Sequence, residues 1–224
     1  MIPWEVVGRA RIPGSADELV LSRRGTEFSI KISGYVSELM NSRVHGSEDA
    51  LAEFACSLVL DRKRPEVLVG GLGMGFTLAA ALKALPHDGV AHVAELVPEV
   101  IEWNRGPLSM CAGYPLTDER VRLHQGDVAA LLRASTAAYD AVMLDVDNGP
   151  EAMTHPDNHW LYSAQGLQAA MRALKPMGVL AVWSAEGDDR FTARLRKAGF
   201  DVELRTARDR PGKGARHTIW LARN

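Results

Sequence analysis

The sequence predicts an α/β fold: a mostly parallel seven-stranded sheet with helices on both faces and an antiparallel last strand, preceded by a small N-terminal β unit. Three observations predict it. From residue 66 onward, apolar runs of strand length alternate with helical stretches, which is how a chain builds a parallel sheet covered on both faces. The first of those runs, Val67-Leu68-Val69, feeds Gly70-Gly71-Leu72-Gly73-Met74-Gly75, four glycines in six positions, and an alanine-rich helix follows. The last two strand-like runs have no helix between them, so the final strand returns antiparallel.

The elements follow in order. Residues 1–46 read as a small N-terminal β-hairpin unit. Leu19–Ser22 and Glu27–Ile32 are its strands, joined by Arg23-Arg24-Gly25-Thr26. Phe28, Ile30 and Ile32 alternate with Ser29, Lys31 and Ser33, so one face turns inward. Ser47 is the expected N-cap of a helix running to about Leu60, with Glu48 and Asp49 in its first turn. The α/β domain, 47–224, then carries strands at 66–70, 90–95, 121–124, 140–145, 178–184, 200–205 and 216–222. Helices are expected at 76–85, 98–105, 127–134, 160–174 and 188–198. A loop is expected over residues 206–215, between the last two strands.

A chain of 224 residues with 46% apolar and 24% charged residues is one large domain, or one domain with a small appendage. Its formal net charge of −2 gives no basis for a nucleic-acid partner or a membrane surface. Cys56 and Cys111 lie far apart, without metal-ligand spacing, and read as free thiols. Cys56 falls in an apolar helical run and reads as a small core residue. The N-terminus lacks the basic and apolar regions of a signal peptide, and no apolar run is long enough to span a membrane. The expected address is cytoplasmic.

The glycine turn narrows the ligand. A dinucleotide fingerprint G-x-G-x-x-G begun at Gly71 needs glycine at 76, and this chain has Phe76; a phosphate-binding P-loop needs Gly-Lys-Ser/Thr, which is missing. The pattern present is G-x-G-x-G: Gly71, Gly73 and Gly75. Twenty residues past Gly75 stands Glu95, at the end of the next strand, where an acid takes a ribose hydroxyl pair. This is the pattern of class I methyltransferase-like, Rossmann-like folds that bind S-adenosylmethionine (SAM) or a relative. Ligands in such sheets sit beyond the carboxyl ends of the strands, and this chain places an acid at three successive ends. Glu95, beside Leu96, holds the ribose. Asp127, after Gly126, accepts from the adenine amino group and also suits a helix N-cap. Asp145 closes the strand Ala141-Val142-Met143-Leu144 near the sulfonium, where it stabilises charge or acts as a base. Gly70, Gly71, Gly73 and Gly75 bring the backbone against the donor. The acceptor pocket is expected from Asp147, Asn148, His155, Asn158, His159, Trp160, Tyr162, Trp183 and Ser184. His155 and His159 stand four apart, but Pro156 and Asp157 between them favour a loop, and no third ligand is evident, so no metal is expected.

Several segments together resemble the spermidine synthase family of polyamine aminopropyltransferases. They are Val67 to Gly75, Ala94-Glu95-Leu96-Val97-Pro98-Glu99-Val100, Gly126-Asp127, Tyr139 to Asp145, and Leu161-Tyr162 through Leu174-Lys175-Pro176-Met177-Gly178-Val179-Leu180. The resemblance covers roughly residues 19–200. It implies decarboxylated SAM as donor, methylthioadenosine as product, a polyamine acceptor, and an N-terminal β unit that can pair across a homodimer. The chain departs from the family pattern at several places. The acid of the family's glycine turn is read here at Gly73. The acid pair of its fourth strand end reads Asp145-Val146-Asp147-Asn148-Gly149, so its second acid becomes Asn148. The family's Y-H-E motif falls about Ser47-Glu48-Asp49, and Ser33-Gly34 stands without the gating glutamine. An acid at 73 would repel the carboxylate of intact SAM, and Gly73 removes that repulsion. The expected reaction is therefore SAM-dependent methyl transfer to a small-molecule acceptor. Aminopropyl transfer from decarboxylated SAM to putrescine is the alternative, and a non-catalytic SAM- or polyamine-binding relative is a third reading.

Overall fold

The computed structural model describes residues 2–146, 158–210 and 213–224. The N-terminal unit is a four-stranded antiparallel sheet in the order β1 (Glu5–Arg11), β2 (Glu18–Arg24), β3 (Glu27–Ile32), β4 (Met40–Asn41). The expected hairpin is β2–β3, paired from Leu19 with Ile32 to Arg24 with Glu27. Strand β1 carries little sequence signal, because most of its residues are exposed and only Ala10 is buried. Its register shifts between Val6 and Gly8. A Cβ on Gly8 would come within 2.6 Å of the Trp103 indole, so this glycine lets the strand lie on that ring.

Helix α1 (Gly46–Ser57) leads into β5 (Glu66–Gly70). It starts two residues earlier than expected, and His45, not Ser47, is the N-cap residue. The Ser47 hydroxyl is taken by Glu48 Oε2 at 2.6 Å and caps no backbone N–H. Then follow α2 (Phe76–Ala84), β6 (Val90–Glu95), α3 (Pro98–Arg105), a short 3-10 turn (Pro115–Thr117), β7 (Val121–Gln125), α4 (Val128–Ala134) and β8 (Tyr139–Leu144). Next come α5 (Asn158–Leu161), α6 (Ala164–Ala173), β9 (Leu174–Ser184), α7 (Asp189–Lys197), β10 (Asp201–Arg210) and β11 (Lys213–Arg223). The single helix expected over 160–174 is two helices. Ser163 ends the first and caps the second, accepting the Gly166 N–H at 3.2 Å.

The large sheet runs β10-β11-β9-β8-β5-β6-β7. Strands β5 to β9 are mutually parallel, and β11 is antiparallel to both β9 and β10. Val67, Val69, Met143 and Ala181 pack on one face; Leu68, Val142, Leu144, Leu180 and Val182 pack on the other. A strand buried on both faces needs such an unbroken apolar run. From β5 the chain winds outward through β6 and β7, then returns to place β8 and β9 on the other side of β5. The winding therefore reverses between β5 and β8, and the crevice at their carboxyl ends is where this sheet can take a ligand. Among the described residues no helix is long and apolar enough to cross a membrane.

Candidate active site

The crevice holds a cavity of about 200 Å³. Its floor is the turn after β5. Gly71, Gly73 and Gly75 have φ of 92°, 52° and 86°, a left-handed backbone that favours glycine. Gly71, Leu72, Gly73 and Met74 line the cavity, so neither position 73 nor 74 brings a carboxylate to it. Gly70 and Gly75 differ from expectation, for neither lines the cavity. A Cβ on Gly70 would press on Leu144 and Val128 at 3.1 Å, and one on Gly75 on Asn104 Oδ1 at 3.0 Å. These two glycines permit packing.

Gly71 is the tightest point. A Cβ there would lie 2.4 Å from the carbonyl oxygen of Asp145. Gly71→Ala is expected to cost about 2–4 kcal/mol of stability and to displace the Asp145 strand end. Thermal denaturation checks the first effect and titration with methylthioadenosine the second.

Glu95, at the end of β6, is 8% exposed. Its Oε2 accepts the Leu72 N–H at 2.9 Å and its Oε1 the Val97 N–H at 2.8 Å. The carboxylate thus ties the glycine turn to the start of α3 and leaves lone pairs facing the cavity, which it lines. Burial pushes its pKa up, against the opposing pull of backbone N–H groups. Leu96, Gly126 and Asp127 line the same end. Asp127 is also the cap of α4, accepting the Ala129 N–H at 2.8 Å. A Cβ on Gly126 would meet nothing within 4 Å, which leaves that backbone open to a ligand.

The other end holds Asp145 and Glu48. Asp145 accepts the Thr77 hydroxyl at 2.6 Å, and that threonine stands in the first turn of α2. Burial pushes Asp145 up to about 7, the negative charge of Glu48 adds to the rise, and the Thr77 bond opposes it. Burial also raises Glu48, against the Ser47 hydroxyl that holds it down. Glu48 lines the cavity from the first turn of α1, and it joins the site only in the folded chain. Thr77 and Met40 were not legible as site residues. Thr77 has one local signal, its place just past the glycine turn, and Met40 has none. Ile12, Leu19, Ile30, Ile32, Leu39 and Met40 close the cavity from the N-terminal unit.

Of the expected acceptor residues, Trp183 lines the cavity. Asp147, Asn148 and His155 lie outside the described residues. His159, Trp160 and Tyr162 do not line it. Tyr162 is 2% exposed and packs edge-on against Phe191. Trp160 lies under the Arg133 guanidinium, 3.8 Å from its carbon to the ring centre. Helix α5 packs beside α6, which sets Trp160, and Tyr162 just after it, against the core between helices. Cys56 is buried, with its thiol pushed up to about 12 by desolvation, which suits a core residue. Among the described residues no three His, Cys, Asp or Glu side chains gather as a metal site.

Comparison with known proteins places this geometry. Solved structures of other proteins share the fold. A spermidine synthase in complex with the transition-state analogue AdoDATO superposes with a TM-score of 0.73 at 17% identity, covering 97% of this chain and 72% of that one. Spermidine synthase from Thermotoga maritima gives 0.72 at 17%, with the same coverage. A probable spermidine synthase from Corynebacterium glutamicum ATCC 13032 gives 0.64 at 16%, covering 98% and 80%. No curated protein sequence matches the chain. Residues 48–187, more than half of the chain, match the spermine/spermidine synthase domain, and this stretch holds the glycine turn and all four carboxylates of the cavity. A spermidine synthase-like fold, in a chain that carries that domain from Glu48 past Asp145, places it in one family: the chain belongs to the spermine/spermidine synthase family.

Proposed function

We propose that this protein alkylates an amine, transferring an aminopropyl group from decarboxylated SAM. One observation carries the reading. The cavity is lined by Glu48, Glu95, Asp127 and Asp145, and no Lys, Arg or His is among its described lining residues. Intact SAM would bring a carboxylate to the end where Asp145 and Glu48 stand, with no side-chain cation to receive it. A like-charge pair at 4 Å costs about 4 kcal/mol at an effective dielectric near 20. Decarboxylated SAM brings an ammonium to the same place. This reverses the preference for methyl transfer that Gly73 suggests in sequence. The turn has no acid, but Glu48 from α1 and Asp145 from β8 supply negative charge in its stead. Family membership supports the same reaction.

The chemistry is an in-line displacement. The acceptor nitrogen attacks the carbon beside the sulfonium, the carbon–sulfur bond breaks, and its electron pair stays on sulfur in methylthioadenosine. Asp145 takes the proton that the acceptor ammonium must lose before attack. Glu95 and Asp127 hold the nucleoside so that the reacting atoms meet in line.

The test is turnover with each donor. With putrescine as acceptor, decarboxylated SAM is expected to release methylthioadenosine, and intact SAM to bind at least about 100-fold more weakly. Release of S-adenosylhomocysteine from intact SAM, with the decarboxylated donor inert, would overturn the reading.

A further inference from the structure

The N-terminal unit gives the cavity a wall whose described residues are all apolar. This wall precedes residue 48, where the family match begins. Strand pairing builds it. Leu19 on β2 pairs with Ile32 on β3, and Ile30 shares the face of Ile32 because side chains alternate along a strand. The same alternation turns Lys31, the one cation of β3, to the opposite face. Its Nζ donates to the Val36 carbonyl at 3.4 Å. The Leu39 N–H donates to the Ile30 carbonyl at 2.9 Å, and Met40 pairs with Ile30, which brings their apolar side chains to the same wall. Ile12 completes it.

On the amine-alkylation reading, Glu95 and Asp127 hold the nucleoside, while Glu48 and Asp145 face the donor's ammonium and the acceptor's nitrogen. No other carboxylate is among the described lining residues. A second charge on the acceptor would then lie against Ile12, Ile30, Ile32 and Leu39. An ammonium there loses its water and gains no partner. With an ordinary pKa of about 10.4 it would have to shed its proton, a cost of about 10³-fold at about pH 7.4. A methyl group meets the same wall with a gain, because its own apolar surface leaves water.

We propose that the preferred acceptor is a primary monoamine with an apolar tail, its nitrogen at Asp145 and its tail against the N-terminal wall. This rests on the amine-alkylation reading above and names the substrate class of that same site. The acceptor enters as an ammonium and gives one proton to the Asp145 carboxylate. The freed nitrogen pair forms the new N–C bond to the aminopropyl carbon, the C–S pair goes to sulfur, and the positive charge of the sulfonium ends on the secondary ammonium of the product.

The test compares putrescine with n-pentylamine, which is of equal length and carries a methyl group in place of the second ammonium. Methylthioadenosine release from decarboxylated SAM is followed with each amine at about pH 7.4. The native chain is expected to give n-pentylamine a kcat/KM at least about 10-fold above that of putrescine, with putrescine turning over more slowly. Leu39 is half-buried and outside the regular strands. Leu39→Glu sets a carboxylate in the wall and is expected to lower that ratio by at least about 5-fold, chiefly by improving putrescine. Circular dichroism confirms that the variant is folded, and the comparison of amines on the native chain decides the question without it. A native chain that uses putrescine as well as n-pentylamine, or better, overturns the proposal. So does a folded Leu39→Glu variant with an unchanged ratio. Release of methylthioadenosine with neither amine fails the alkylation reading and this proposal with it, whereas release that favours putrescine fails the proposal alone.

Discussion

Replacing Asp145 by Asn is expected to lower kcat by a factor of about 10³, the range for loss of a positioned general base, while methylthioadenosine still binds. The substitution keeps shape and an acceptor oxygen for the Thr77 hydroxyl that now bonds Asp145 at 2.6 Å. It removes only the charge and the basicity. The wild-type rate carries a pH signature of the same group. Burial raises Asp145 to about 7, so its basic form accumulates, and kcat rises, as pH climbs through that value. The Asn variant should lack that rise. Stability runs the other way. The folded pKa lies above the unfolded value of about 3.9, so the native state holds the proton more tightly between the two. The contribution of Asp145 to stability is complete below about pH 4 and is lost as pH rises through about 7. Asn at this site should therefore melt at higher temperature than wild type at about pH 8 and show a flatter pH dependence. A variant with native kcat would remove Asp145 from the chemistry.

Glu95→Gln is expected to weaken methylthioadenosine binding by about 100-fold and to cost about 1–3 kcal/mol of stability. The amide is nearly isosteric, yet it cannot replace the carboxylate. One carboxylate oxygen accepts from Leu72 N–H and the other from Val97 N–H. An amide must turn its NH₂ toward one of them, setting donor against donor in a site 8% exposed. The ribose contact and the glycine turn are therefore expected to fail together. Calorimetry with methylthioadenosine and thermal denaturation read the two losses. Native affinity in a folded Gln variant would mean that the nucleoside is held elsewhere.

The carboxylates of the cavity differ in how openly the sequence displays them. Glu95 and Asp145 end apolar runs that can only be buried strands, and a strand end in a parallel sheet has one place to point. Glu48 stands in the first turn of a helix, where an acid is explained by the helix dipole alone. Its role appears only when α1 is packed beside α2 and its carboxylate enters the cavity wall. Trp160 and Tyr162 show the reverse. Aromatics close after a strand-end loop suit a substrate platform, yet Trp160 lies against Arg133 and Tyr162 against Phe191. Gly70 and Gly75 belong to a turn whose pattern suggests ligand contact throughout, but only the middle of that turn reaches the cavity. Strand β1 was illegible because it is largely exposed, and its one distinctive residue, Gly8, is explained only by the Trp103 ring that covers it.

By itself the sequence determined the parallel sheet, its antiparallel last strand, the glycine turn and the three strand-end acids. Each is local: periodicity reports which faces are buried, and a strand end reports where a side chain emerges. The tertiary structure alone decided the charge of the cavity as a whole. Glu48 joins from α1, and no cation lines the described wall. Electrostatic preference depends on distances between groups far apart in the chain. Reading position 73 alone favours a donor with a carboxylate, and the assembled cavity favours one without.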